Sequence, residues 1–156
     1  MQLLISMLLA LAPWLPSQPG DSLIVEVAGR TTVLRAPDIA ALPRDSVQWT
    51  THGVTHRYAG VRLIDVLRRV GVPIDSLKGR DLTKRLVVEA ADHYRAVFAL
   101  AEIAPGLGSR EVLVADREDG QPLPAGAGPY RLVVPGDGSG MRGVRQVVAL
   151  RVKDEP

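Results

Sequence analysis

Between Ser22 and Ala36 the chain alternates. Leu23, Val25 and Val27 interleave with Ile24, Glu26 and Ala28. A period of two puts successive side chains on opposite faces of a strand. With Gly29-Arg30 as the turn and Thr31 to Leu34 returning, this stretch predicts a β-hairpin. Ser46 to His52 and Thr55 to Tyr58 are strand-like around a bend at Gly53. Further strands are expected at Arg85–Ala90, Tyr94–Phe98, Glu111–Arg117, Tyr130–Val134 and Val147–Val152. Asp92-His93 and Asp119-Gly120 supply turns.

Helical spacing is rarer. Over Val61 to Val70, Leu63, Val66, Leu67 and Val70 share one face, while Arg62, Asp65, Arg68 and Arg69 form a solvated one. Gly71 is a natural C-cap and Pro73 blocks continuation. Asp38 caps a short turn through Leu42, and Leu100–Ile103 forms another before Pro105. The expected fold class is α+β: a strand-rich mixed-sheet domain with a few short helices.

The first segment breaks this rhythm. Met1 to Leu15 has no charged side chain and is rich in leucine. Its apolar run, Leu3 to Ala12, has the length of a signal-peptide core and is too short to span a bilayer, which takes about 20 residues. Pro13, Pro16 and Pro19 follow. Residues 1–20 therefore read as an export signal, with a buried N-terminal helix as the alternative. Residues 21–152 read as one domain and 153–156 as a polar tail. The expected location is periplasmic or secreted, with no membrane span after signal removal.

Composition narrows the chemistry. Fifteen glycines and twelve prolines favour short strands and many turns over a helical bundle. A net charge of +2 does not suggest a nucleic-acid partner. The absence of cysteine excludes a disulfide, an iron–sulfur cluster or a thiolate metal ligand from this chain.

Three ordered segments resemble the molybdopterin-binding domain of the sulfite oxidase family. They are Tyr58-Ala-Gly-Val-Arg-Leu-Ile-Asp-Val-Leu67 with Gly71, then Asp92-His-Tyr-Arg-Ala-Val-Phe-Ala-Leu-Ala-Glu102, then a longer ending. That ending runs through Val112–Ala115, Asp119-Gly-Gln-Pro-Leu-Pro124, Gly128-Pro-Tyr-Arg-Leu-Val-Val-Pro-Gly136 and Gly143–Val147. The resemblance spans Tyr58 to Val152. It implies an oxidoreductase-type domain and molybdopterin as its cofactor. It also places Tyr94 at the family's active-site tyrosine.

The departures are chemical. The resemblance implies a molybdenum-binding cysteine near Val47–Gly53, where this chain has Thr50, Thr51 and His52. Neither a hydroxyl nor a neutral imidazole replaces a soft anionic thiolate. The long cofactor-binding insertion before the helix is also missing, and Arg145-Gln146 stands where the resemblance implies Lys-Trp. No metal site is expected.

Six residues are candidates for binding a ligand: His52, His56, Tyr94, Arg131, Arg142 and Arg145. Beside a cation, Tyr94 donates a proton or hydrogen bond to an oxyanion; otherwise its ring is core and its hydroxyl rim. His52 and His56 converge across a tight hairpin or are simply exposed. No acidic residue or third histidine lies in their stretch, which leaves a metal set incomplete. Gly136-Asp-Gly-Ser-Gly140 followed by Arg142 is either an anion cradle or a surface loop. Whether the chain is an enzyme stays open. Its expected partner is a small anionic ligand or pterin-like group, with an envelope protein, bound by a non-enzymatic module, as the alternative.

Overall fold

The computed structural model describes residues 21–154. The expected export signal and the last two residues lie outside this range. Among these residues, two five-stranded sheets, three short α-helices and one turn of 3-10 helix (Gly79–Thr83) build the α+β architecture expected from the sequence.

The first sheet runs β2 (Arg30–Arg35), β1 (Ser22–Val27), β10 (Val147–Lys153), β5 (Arg85–Ala90), β6 (Arg95–Ala99). It is mixed because β1 and β10 are parallel, with Ile24 opposite Ala149, while every other pair is antiparallel. Lys153, expected in the polar tail, closes β10 opposite Arg85. The β1–β2 turn falls on Ala28-Gly29, one residue earlier than expected. Both carry positive φ (48° and 77°), as the tight hairpin turn requires.

The second sheet runs β3 (Arg44–Thr51), β4 (Val54–Arg62), β7 (Leu113–Glu118), with β8 (Gln121–Pro122) and β9 (Arg131–Val133) both on the far edge of β7. It is covered on both sides. One face packs Val61, Val114 and Leu132 into the main core with Leu23, Leu86, Phe98 and Leu150. The other carries a small cluster of Val47, Trp49, Tyr58, Leu113, Ala115 and Val133.

A bulge decides what joins that small cluster. Tyr58 faces Glu118 and Gly60 faces Ala115, so β7 holds one residue more than β4 between these pairs. The extra residue shifts the alternation. Glu118 therefore lands on the same side as Ala115 and Tyr58 rather than on the opposite one.

α2 (Leu63–Arg69) starts after β4 ends at Arg62, later than its periodicity predicts, because Val61 pairs with Arg44 and Val114. Leu63, Val66 and Leu67 are fully buried, each contributing about 1.5–3 kcal/mol. Gly71, at φ 86°, ends the helix: its amide bonds the Arg68 carbonyl and the Val72 amide bonds that of Leu67. Asp65 is not on a solvated face. It is buried and held by Arg62 Nε at 3.0 Å and Arg68 Nη1 at 2.8 Å. In α1 (Ala36–Ala40), Asp38 caps from inside the first turn, accepting the Arg35 amide at 2.9 Å. α3 (Leu100–Ile103) follows β6 as expected.

Candidate functional site

Three turns and the start of β9 enclose a cleft of about 420 Å³ between the ends of the two sheets. The β3–β4 turn supplies Thr51 and His52. The β5–β6 turn supplies Asp92 and Tyr94. The glycine-rich segment before β10 supplies Gly140, Met141, Gly143 and Arg145, and Trp49 and Arg131 also line the space.

Glycine is required where that segment crosses Trp49, which is buried. A Cβ on Gly143 would sit 2.2 Å from Cη2 of the indole, and one on Gly140 3.4 Å from its Cζ2. The segment is also pinned from behind. Arg142 Nε and Nη2 bind Asp137 at 2.6 and 2.7 Å, its Nη1 binds Glu102 at 2.9 Å, and its Cζ lies 4.7 Å from the Phe98 ring centroid. Arg110 pairs with the same two carboxylates, at 2.5 Å to Glu102 and 3.0 Å to Asp137. Arg142 is thus a clamp for the wall and is not among the cleft residues, contrary to its expected role as a ligand contact.

Arg131 is the electrostatic centre. It is 8% exposed and sits 5.2 Å from the Trp49 ring centroid and 5.0 Å from that of Tyr58. Its Nη1 donates to the Tyr58 hydroxyl at 2.9 Å and lies 3.5 Å from Glu118. Its Nε is buried with no hydrogen-bond partner among the described residues. Burial pushes its pKa below the usual arginine value, but guanidinium stays charged in proteins. Burial also pushes Tyr58 up to about 12, so this phenol is a neutral partner.

The other candidates divide. Arg145 and His52 are exposed and line the cleft, His52 at φ 52° in its turn. Tyr94 lines it too, but its hydroxyl donates to the Met141 carbonyl at 2.6 Å. That bond straps two rims of the cleft together and occupies the proton that the oxyanion role needed.

His56 does not converge with His52 on the cleft. It leaves β4 toward the end of β7. There Nδ1 donates to Asp119 Oδ2 at 2.7 Å and lies 3.6 Å from Glu118 Oε1. The carboxylates missing from its own stretch are supplied about sixty residues later by the β4–β7 pairing. Sequence spacing gave no signal for this, because Glu118 reaches that face only through the bulge. Trp49 likewise carries no sequence signal beyond its place in a strand-like stretch.

The His56–Asp119 pair sets a pH dependence. The hydrogen bond to Asp119 is the largest influence raising His56 above its ordinary 6.5, and that to His56 the largest lowering Asp119 below 3.8. A raised histidine stabilises the fold below its ordinary value and loses this as pH rises through the folded one. A depressed carboxylate stabilises above its ordinary value and loses this as pH falls through the folded one. The pair therefore contributes most at about pH 5–6. Melting curves should separate the wild type from His56→Gln more at that pH than at about pH 9. A constant separation would contradict this assignment.

The donor set tests the cofactor that the resemblance implies. The polar groups facing the cleft are hydroxyl, imidazole, amide, carboxylate and guanidinium, with no sulfur anion among them. They fit an oxyanion, but not a molybdenum centre gripped by a protein thiolate.

Comparison with known proteins adds the lineage. Among curated proteins, none matches. The sulfane dehydrogenase SoxCD from Paracoccus pantotrophus, a solved crystal structure, superposes with a TM-score of 0.66 at 21% identity. The match covers 86% of this chain and 38% of that one, so the chain spans well under half of its neighbour's length. At this identity the likeness establishes the shared fold. No helix among the described residues is long and apolar enough to cross a membrane. The sequence profile of the oxidoreductase molybdopterin binding domain matches residues 28–156, most of the chain, and the chain therefore belongs to that family.

Proposed function

We propose that this chain is an exported member of its family that binds a small oxyanion, free or borne on a pterin-like molecule. It holds this ligand non-covalently in the cleft and contributes no protein ligand to molybdenum. The observation that carries this reading is Arg131, a nearly buried cation at the wall of an open cleft. A buried charge is stable only when compensated, and Glu118 at 3.5 Å is loose compensation. An anion in the cleft completes it. Arg145, exposed and lining the same cleft, gives a second guanidinium, and guanidinium groups match oxyanions through paired N–H donors. The Tyr94–Met141 bond ties together two of the segments that line the cleft.

Two measurements test this. The mature protein, purified from cells grown with ample molybdate, should hold far less than one molybdenum per chain. Stoichiometric metal overturns the reading. Melting temperature should rise with sulfate, phosphate or a pterin phosphate. Binding at a hundred times the dissociation constant adds about 2.7 kcal/mol. Sulfate stabilises most proteins by exclusion from the surface, so the increment counts only if Arg145→Ala reduces it. Comparing inorganic anions with the pterin identifies the source of the charge. The apolar leader (Leu3 to Ala12) supports export, and the mature N-terminus should begin after about Pro16. An intact Met1 in the envelope fraction, or a purely cytosolic protein, refutes it.

A further inference from the structure

We infer that His56, Glu118 and Asp119 form a second site, outside the cleft, for one divalent transition cation of the Zn²⁺ class. The three residues offer one nitrogen and two carboxylate oxygens, all within 4.8 Å of one another. Ligands at about 2.0–2.2 Å in a tetrahedral shell stand roughly 3.4 Å apart. His56 Nδ1 and Glu118 Oε1 are already 3.6 Å apart. The 2.7 Å contact between His56 and Asp119 must open by about 0.7 Å, as the metal replaces the proton shared between them. The imidazole then coordinates through Nδ1 and keeps its remaining proton on Nε2. Water fills the fourth position, which the partial exposure of His56 and Asp119 leaves open.

The set is held in place by backbone. β4–β7 pairing and the bulge aim Glu118 at this face. Asp119 sits in a tight turn at φ 49°, and its Oδ1 accepts the Arg57 amide at 2.9 Å. Such supporting bonds orient ligands before a metal arrives. The imidazole selects against Ca²⁺ and Mg²⁺, which prefer all-oxygen shells. Two carboxylates offset the cation's charge. Arg131 opposes it from the other Glu118 oxygen, Oε2, at 3.5 Å, and its charge also bears on His56. Glu118 thus belongs to the cation site and pairs with Arg131 of the cleft wall, so occupancy of one site is linked to the other, with reciprocal effects on affinity.

The test is calorimetric and thermal titration of the untagged mature chain with ZnCl₂ near neutral pH. One zinc per chain and a rise in melting temperature are expected, with no response to MgCl₂. His56→Ala and Asp119→Asn should each weaken binding by more than about tenfold. Asn-Gly is itself a favoured turn pair, so Asp119→Asn keeps the turn intact. His93→Ala removes an exposed histidine paired with Glu89 elsewhere and should leave the titration unchanged. No response at millimolar zinc overturns the site. So does unaltered binding in both ligand variants, or an equal loss in His93→Ala.

Discussion

Gly60→Ala should cost the domain about 3 kcal/mol or more, a fall in melting temperature of roughly 10 °C. A Cβ at this position would lie 2.1 Å from the Val114 carbonyl oxygen and 2.6 Å from the Ala115 Cα. Both are backbone atoms of the paired strand, so no rotamer change relieves the contact. The strands must separate at the bulge that sets which way Glu118 and its neighbours point. The same displacement reaches the Tyr58–Arg131 bond, because Arg131 pairs with Ala115. Failure to accumulate as soluble protein agrees with this expectation. A soluble variant melting within about 2 °C of the wild type would show slack that the packing does not reveal.

The second large effect concerns the cleft. Arg131→Met should abolish the melting shift produced by oxyanions while leaving the ligand-free protein within about 1 kcal/mol of the wild type. Methionine fills the space between Trp49 and Tyr58 without a charge. Replacing a buried ionic group with a well-packed apolar one is often neutral. Glu118, whose side chain keeps 18% of its exposure, retains contact with water when its partner goes. Binding and folding are therefore separable at this position. Persistence of the anion response in Arg131→Met would place the ligand elsewhere.

Much of this was legible in the chain before its fold. Period-two alternation found the hairpins, and Asp119-Gly120 and Gly71 marked turn and cap because their positive φ leaves few alternatives. Tyr94, Arg131, Arg145 and His52, each singled out by residue type or by the resemblance, line one cleft, but nothing in their spacing shows that they come together. Two things were hidden. Arg142 looked like an anion contact after a glycine-rich loop, yet Asp137, five residues before it, takes two of its nitrogens. An Asp so close to an Arg in a turning segment was a readable local signal. The His56 cluster was not readable. It depends on a one-residue bulge, and strand alternation extrapolated along β7 puts Glu118 on the wrong face.

The parallel pair in the first sheet bears on how the protein is made. β10 lies between β1 and β5 yet is the last strand of the fold. During synthesis the first hairpin and the β5–β6 hairpin emerge with a gap between them that nothing yet fills. Until residues 147–153 leave the ribosome, both expose strand edges able to pair with other nascent chains. Assembly of this half therefore waits on its final strand, and the two hairpins stay unjoined until β10 is free to slot between them.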